Sequence, residues 1–398
     1  MIEKRRDNRN RILHKGEIQL PDGRYRYKYK DVAGNIRCEY SWRLDNSDRT
    51  PMGKKNGPSL REKERRIQRD VLDGVSSNGG NLTVYTLAKK YLATKVGVKE
   101  TTRTGYGTVM NFLKNDPMGA RKISKLKTSD MKLWLIHLQQ DLHKGYSTIK
   151  SIRGVLHPAF AMAVEDDLIR KNPFDFEMKT VVVNDSKKRE AITEEEKKAF
   201  LDFVREDSHF SIYYEAFYVL FHTGLRISEF VGLTVSDIDF NTHSINVDHQ
   251  LLRSPHMRYY IDKPKTSSGI RKIPMTDEVE RCLHTIIDKR PKLKKEPTVD
   301  GYSGFLYLDK NGRPVVAMHW EQRLRGILKK YTKHHDAPLP HITPHVLRHT
   351  FCTHVAMDGI HPKTLQYIMG HSDFAVTMNV YTDARFEDAR KSVNFLNA

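Results

Sequence analysis

The first clear pattern in the chain is a strict alternation of basic and aromatic residues over residues 24–30. Successive side chains of a β-strand point to opposite faces, so this run predicts a strand with one basic face and one tyrosine face. Turn-forming residues flank the run at 22–23 and 33–35, and a further strand is expected over about residues 36–43. Ser59 and Glu62 form a capping-box sequence, which predicts a helix ending near Gly74. The predicted basic face consists of Arg24, Arg26, Lys28 and Lys30.

Residues 81–175 have apolar residues at the three- and four-residue spacing of amphipathic helices. Met131, Leu135 and Leu138 show this spacing, and it returns over residues 149–164. A flexible Ser/Asn/Gly linker at residues 76–80 precedes this helical segment, and a second linker is expected over about residues 176–189. The middle of the chain is therefore expected to be an all-helical domain.

The C-terminal portion shows a mixed pattern. Thr193 and Glu196 predict the start of a helix over residues 194–206, and a second helix is expected over 209–222. Short strands are predicted around residues 244–252, 259–261 and 271–274, and several helices follow from about residue 278. The chain as a whole is thus expected to be a multidomain α+β protein.

The composition is that of a soluble globular protein, with 38% hydrophobic and 9% aromatic residues over 398 residues. No apolar run approaches the ~18 residues that span a bilayer, and the charged residues 1–11 do not form a secretion signal. The three scattered cysteines do not indicate a disulfide framework. These features predict a cytoplasmic protein.

The net charge of +19 indicates a polyanionic partner, and its distribution is more specific. Residues 1–80 and residues 81–180 each carry a net charge of +8, whereas residues 181–398 carry only +3. The excess charge therefore lies mainly outside the mixed C-terminal portion. A generally basic, solvated surface is the plain alternative. An anionic membrane surface fits less well, because no segment combines a long apolar face with a basic one.

Four short motifs carry candidate chemistry: residues 223–229 (TGLRISE), 263–266 (KPKT), 345–350 (HVLRHT) and 371–381 (HSDFAVTMNVY). Anionic oxygens make a phosphodiester hard to attack, so catalysis depends on neutralising those oxygens and positioning a nucleophile. Arginine suits this task because its planar fork binds two oxygens and stays charged. Arg226 and Arg348 could bind such a phosphate, and Tyr381 is the candidate nucleophile.

Each motif also has a plainer interpretation. Arg226 could form a surface ion pair with Glu229, and Tyr381 could be an ordinary half-buried tyrosine. His345 could lie at a helix N-terminus without a functional role, and His371 could be a loop residue after a glycine. A metal site is a competing chemical interpretation, because His345, His349 and Cys352 have i, i+4 and i+7 spacing. No nearby carboxylate supplies a base for metal-assisted hydrolysis, so this interpretation is weaker.

The ordered set of motifs, including His-x-x-Arg and Gly-His followed by a tyrosine, resembles the tyrosine recombinases, the site-specific recombinases that include phage lambda integrase. The resemblance covers roughly residues 80–398. Within that family the chain most resembles integrases of bacterial conjugative transposons, which share the small N-terminal sheet domain. It implies an arm-site-binding domain at 1–75 with a three-stranded sheet and a helix. A helical core-binding domain would follow at 81–175, and a mixed α/β catalytic domain at 185–398.

The resemblance also implies roles for individual residues. Arg226 and Arg348 resemble the arginines that bind the scissile phosphate, and Tyr381 resembles the nucleophile that forms a 3′-phosphotyrosyl link. Lys265 resembles the lysine of a β-hairpin that protonates the leaving 5′ oxygen, with Lys263 and Lys272 as alternatives for that role. His345 and His371 resemble the histidines that assist proton transfer, and Glu229 resembles a supporting acidic residue.

The same resemblance implies the partners and the reaction. The substrate would be double-stranded DNA with core and arm sites, bound by a homotetramer that exchanges strands through a Holliday junction. An excisionase or DNA-bending protein would be the accessory partner, the enzyme would be associated with the bacterial nucleoid, and no metal or cofactor would be needed. A type IB topoisomerase, which uses the same chemistry on one duplex, and a DNA-binding repressor on a decayed catalytic fold are the alternatives.

Overall fold

A computed structural model of the chain describes residues 5–31, 35–72, 82–186, 190–264 and 267–381. The chain divides into two compact units, residues 1–187 and 188–398. Within the described ranges, no helix combines the length and the apolar character needed to cross a membrane.

The first unit begins with an antiparallel sheet of three strands in chain order, β1 Glu17–Gln19, β2 Tyr25–Lys30 and β3 Ile36–Ser41, followed by helix α1 Leu60–Leu72. The alternation of residues 24–30 explains its core, because Tyr25 and Tyr27 are buried while Lys28 and Lys30 are exposed. Ser59 Oγ accepts a hydrogen bond from the backbone N of Glu62 at 3.3 Å and so begins α1. The faces of β2 and the start of α1 are confirmed, whereas β1 had no clear signal in the sequence.

The rest of the first unit is helical, as the spacing of its apolar residues predicts. Its core is separate from that of the sheet and includes Leu87, Leu135, Leu156 and Phe160, which are all fully buried. Pro158 lies inside the last helix without ending it. The helices are α2 Val84–Ala93, α3 Glu100–Asn115, α4 Pro117–Ala120, α5 Thr128–Gln140 and α6 Tyr146–Glu165.

The second unit is built from helices and short strands around one large core. Fully buried Trp320 lies at its centre, and its ring makes edge contacts with Phe217, Phe230 and Tyr307. The helices are α7 Glu194–Glu206, α8 Tyr214–Thr223, α9 Ile227–Phe230, α10 Asp277–Asp288, α11 Ala317–His334, α12 Pro344–Met357, α13 Pro362–Met369 and α14 Phe374–Tyr381. The strands are β4 Ile238–Asp239, β5 Ser244–Val247, β6 Gln250–Arg253, β7 Tyr259–Asp262 and β8 Arg271–Pro274.

The strands of the second unit form two small sheets. β8 pairs antiparallel with β5, so that Arg271 lies opposite Val247. The hairpin before β8 joins β6 to β7. The two apolar residues of β5, Ile245 and Val247, are buried opposite Ile273 and Arg271, a pairing that the local sequence did not reveal. Lys265 itself lies outside the described residues.

Candidate active site

The turn between α8 and α9 places Arg226 at the start of a short helix. Gly224 ends α8 with a φ of 62°, in the left-handed region that favours glycine. A Cβ atom there would lie 2.5 Å from Phe351 Cδ1 and 2.8 Å from Met369 Sδ. The glycine therefore allows both the sharp turn and the close approach of α12 and α13.

Glu229 is a buried carboxylate that joins two arginines. Its Oε1 accepts from Arg226 Nη1 at 2.7 Å, and its Oε2 accepts from the Arg226 backbone N at 2.9 Å. Arg271 donates to the same two oxygens at 3.2 and 2.9 Å. Burial raises the pKa of Glu229, but the hydrogen bonds and charge of Arg271, together with Arg226, outweigh burial and hold that pKa below its usual value. Glu229 is therefore ionised at neutral pH.

The C-terminal end of α13 is bound by three arginines through three consecutive backbone carbonyls. Arg271 Nε donates to the carbonyl of Ile368 at 2.6 Å, Arg348 Nη2 to that of Met369, and Arg226 Nη2 to that of Gly370 at 3.1 Å. A helix C-terminus carries partial negative charge, so these contacts are electrostatically favourable. The same end of the helix thus fixes the position of all three guanidinium groups.

Arg348 lies on α12 and is only 5% exposed. Its Nη1 also donates to the Gly224 carbonyl at 2.6 Å, which ties α12 to the α8–α9 turn. Burial and the charge of Arg226 lower the pKa of Arg348, while Glu229 raises it. An arginine pKa lies so far above neutrality that the side chain stays charged. Three arginine charges against one carboxylate leave a net positive site that suits a phosphate.

His371 follows directly after the α13 end and connects it to α14. Its Nδ1 lies 3.0 Å from the Thr377 hydroxyl, and Thr377 is fully buried. Burial and the charges of Arg348 and Arg226 lower the pKa of His371 to about 4. The imidazole is therefore neutral at physiological pH and can both donate and accept a hydrogen bond.

Tyr381 is the last residue of α14, one helical turn after Thr377. Its hydroxyl donates to the backbone carbonyl of Ile360 at 2.8 Å, in the connection between α12 and α13. Burial and nearby Cys352 raise the pKa of Tyr381, so the phenol is protonated at neutral pH. The candidate nucleophile is thus partly buried and already bonded to the protein itself.

The structure joins three of the predicted site residues through hydrogen bonds. Arg226, Glu229 and Arg348 are linked through hydrogen bonds to one turn, and His371 belongs to that turn. His345 is exposed on α12, one turn before Arg348. Groups of potential metal ligands among the described residues lie elsewhere, and neither includes His345, His349 or Cys352.

Arg271 was missed as a candidate from the sequence, although a signal was present. On β8, Arg271 and Ile273 are buried while Lys272 and Pro274 are exposed. An arginine that shares the inward face of a strand with isoleucine needs a carboxylate partner. That inference would have pointed to Arg271, but not to Glu229 as its partner.

The N-terminal sheet carries the predicted basic residues, with the rings of exposed Tyr40 and half-buried Trp42 beside Arg24. Arg24 pairs with Asp22 at 2.7 Å, and its guanidinium lies 5.5 Å from the Tyr40 ring centre and 5.8 Å from that of Trp42. Lys54 Nζ lies 4.9 Å from the Trp42 ring centre. Arg26 is half-buried, and Lys28 and Lys30 are exposed. This surface combines charge with rigid apolar contacts.

Comparison with known proteins gives matches over the whole chain. The phage integrase family profile matches residues 190–388, and the profile for the DNA binding domain of Tn916 integrase matches residues 1–71. The chain is 44% identical over 397 residues to the transposase from transposon Tn916 of Enterococcus faecalis, covering 100% of this chain and 98% of that protein.

Solved structures agree with this likeness. The Tn1549 transposon integrase in complex with a circular intermediate DNA matches with a TM-score of 0.75 and 41% identity, over 79% of this chain and 99% of that one. A lambda integrase dimer bound to a COC′ core site matches with a TM-score of 0.53 and 15% identity, over 75% of this chain and 95% of that one. The second match supports the fold alone.

Fold and likeness together define the class: the chain is a tyrosine recombinase, an enzyme that cuts and rejoins DNA. It belongs to the phage integrase family, and its likeness to the Tn916 transposase extends through the N-terminal sheet.

Proposed function

We propose that Tyr381 attacks a DNA phosphodiester held by Arg226 and Arg348, so that the protein integrates and excises a mobile element of the conjugative transposon type. The observation that supports this most is the pair of arginines fixed around the end of α13, with Tyr381 on the helix that follows. Attack forms a 3′-phosphotyrosyl link and releases a 5′ hydroxyl. A 5′ hydroxyl of a partner strand then attacks the link and restores the phosphodiester, so the bond energy is retained without ATP.

His371 and His345 would complete the site. His371 is neutral before DNA binds, so it can accept the phenol proton or donate to a non-bridging oxygen. His345 lies on the same helix as Arg348 and would donate to the phosphate. Lys265 would protonate the leaving oxygen, and Glu229 would hold Arg226 in place.

The chain would act as three domains, at 1–75, 81–175 and 185–398. The last two would bind the core site, where strands are exchanged, and the first would bind arm sites. Four protomers would exchange two duplexes through a Holliday junction, assisted by an excisionase or a DNA-bending protein. The enzyme would work at the nucleoid in the bacterial cytoplasm, where its DNA substrate lies.

The test of this function is covalent capture on a nicked DNA whose short cleaved fragment diffuses away. We expect a protein–DNA adduct that survives denaturation, and its yield should be unchanged in excess EDTA. The arginine charges already neutralise the phosphate oxygens, which is the task a metal ion would otherwise perform. A strict requirement for added magnesium in this assay would contradict the proposed chemistry.

A type IB topoisomerase would give the same adduct, so a second measurement is needed to separate the two enzymes. Two differently labelled duplexes that carry the same site should be joined to each other by the recombinase. The separate N-terminal sheet with its basic face favours this outcome, because it would provide a second DNA-binding surface. Relaxation of supercoils without exchange between duplexes would favour the topoisomerase.

Deleting residues 1–75 should leave cleavage of a short core-site DNA intact but remove protection of distant flanking sites. The basic residues of β2 lie in this segment, and phosphate contacts of this kind supply much of the affinity for DNA. The matched control is the full chain with Lys28→Ala and Lys30→Ala, since both side chains are exposed. Footprinting of the flanks measures the effect, and equal footprints for all three proteins would refute the assignment of the sheet to arm sites.

A further inference from the structure

Arg271 is a fully buried arginine beside the proposed active site, with no exposed side-chain surface. Its Nη1 and Nη2 donate to the two oxygens of Glu229, and its Nε donates to the Ile368 carbonyl. Nη1 also lies 3.2 Å from the Gly269 carbonyl, in the loop that precedes β8. This guanidinium has its donors directed at protein oxygens, so it is not placed to bind DNA.

The charge of Arg271 changes what Arg226 can do. Glu229 contacts both arginines, and a carboxylate paired with Arg226 alone would neutralise the group that must bind the phosphate. A phosphate would then have to compete with Glu229 for the same guanidinium. With Arg271 present, the negative charge of Glu229 is balanced from the buried side. Arg226 keeps a net positive charge on the side where its side chain is 40% exposed.

Arg271 also ties together the segments on which the site depends. Its backbone begins β8, and the backbone N of the next residue, Lys272, donates to the Tyr367 hydroxyl on α13 at 3.1 Å. The strand is therefore attached to α13 at two neighbouring points, one of them the Ile368 carbonyl. Gly370, two residues after Ile368, has little free space around it, because a Cβ atom at Gly370 would lie 3.1 Å from Arg271 Nη1. Arg271 therefore packs directly against the turn that carries His371.

We propose that Arg271 is a positioning residue for DNA cleavage, which balances the charge of Glu229 so that Arg226 remains available to the scissile phosphate. This inference rests on the proposed role of Arg226. It extends that role by assigning Glu229 and Arg271 to one charge-balanced pair that contacts Arg226 from the buried side. Removing the positive charge alone should harm cleavage more than removing both charges.

The test compares single-turnover cleavage of a nicked core-site DNA, at saturating protein, by Arg271→Met, Arg271→Lys and the double variant Arg271→Met/Glu229→Gln. Misplacing a catalytic group by about 1 Å can cost about 10²-fold in rate, and we expect a loss of that order for Arg271→Met. Arg271→Lys keeps the charge but not the bidentate contact with Glu229, so its cleavage rate should stay within about tenfold of the parent. The double variant should be at least about tenfold faster than Arg271→Met.

Recovery in the double variant separates charge balance from a merely structural role. If Arg271 only stabilised the fold, the folded fraction of Arg271→Met would cleave at the parental rate, and removing Glu229 as well would bring no recovery in that corrected rate. Rates are corrected for the active fraction by the amplitude of adduct formation, and DNA affinity is measured in parallel. We expect the dissociation constants of all the variants to lie within about threefold of the parent, because Arg271 is not placed to bind DNA.

Arg290 provides a matched control elsewhere in the same unit. Its Nε donates to the Phe305 carbonyl at 2.8 Å, its two terminal nitrogens contact both oxygens of Glu296, and its side chain is 11% exposed. Arg290→Met should lower the melting temperature but leave the cleavage rate of the folded enzyme unchanged. It therefore measures how much of any effect comes from losing a buried ion pair.

The outcomes distinguish this inference from the proposed function. Cleavage at the parental rate by Arg226→Ala would overturn the role of Arg226 and this inference with it. An inactive Arg226→Ala together with a folded, fully active Arg271→Met would overturn only the inference. A double variant no faster than Arg271→Met would also overturn it. If Arg271→Met does not fold, Arg271→Lys is compared with the double variant instead. A lysine variant that cleaves as slowly as Arg226→Ala would then contradict the proposed charge balance.

Discussion

Replacing Tyr381 by phenylalanine should abolish the covalent protein–DNA adduct while DNA binding stays at the parental level. The substitution removes only the phenolic oxygen, which is the proposed nucleophile. It also removes the hydrogen bond to the Ile360 carbonyl, whose loss costs about 1 kcal/mol of stability for a typical hydrogen bond. The fold should therefore survive, and the loss should be confined to chemistry.

The measurement is a denaturing gel of protein mixed with nicked core-site DNA, together with a binding assay at the same salt concentration. Tyr331→Phe is the matched control, because it removes a hydroxyl from a buried tyrosine on α11 of the same unit. We expect that control to form the adduct normally. An adduct with Tyr381→Phe would mean that another residue attacks the phosphate.

Replacing Lys265 by alanine should slow cleavage of ordinary DNA by about 10²–10⁴-fold, the usual contribution of general acid catalysis. The 5′ oxygen leaves as a poor alkoxide unless it is protonated during bond breakage. A sulfur at this bridging position makes a leaving group that needs little protonation. We therefore expect the sulfur-substituted DNA to restore cleavage by Lys265→Ala. We expect no such rescue for Arg226→Ala or Arg348→Ala, because the proposed task of these arginines is to neutralise the non-bridging oxygens.

The neighbouring lysines serve as controls for that experiment. Lys272 is exposed on β8, on the opposite face of the strand from Arg271, so it points away from the Glu229 contact. Lys263 is exposed just after β7. Neither alanine variant should show selective rescue in single-turnover cleavage of the two DNAs. Rescue of one of them, with none for Lys265→Ala, would transfer the acid role to that residue.

Local patterns in the sequence were enough to predict much of the secondary structure. The capping box at Thr193 and Glu196 predicted the observed start of α7 at Glu194. The Thr193 hydroxyl accepts a hydrogen bond from the Glu196 backbone N at 3.2 Å. The alternation over residues 24–30 gave both faces of β2. Both features depend on residues that lie within a few positions of one another, so the local sequence is sufficient to predict them.

Features that depend on distant partners could not be predicted. The pairing of β8 with β5 joins strands about 27 residues apart and required the intervening hairpin to form its own sheet. Arg348 is buried on α12 because carbonyls from two other segments satisfy its guanidinium, and neither segment adjoins it in the chain. The role of Arg271 depends on a carboxylate 42 positions earlier. Nothing in the local pattern of β8 identified that partner.

The three arginines on consecutive carbonyls of α13 have a consequence for how DNA sequences are distinguished. Ordering a long side chain costs up to about 2 kcal/mol of conformational entropy, and here that cost is met when the protein folds, before any DNA is bound. If Arg226 and Arg348 bind the phosphate as proposed, this already ordered pair would meet the backbone phosphate of every DNA sequence on equal terms. It would supply the same affinity to a correct and an incorrect site. Selectivity must therefore come from contacts elsewhere on the protein, and variants that change target preference should map outside this cluster.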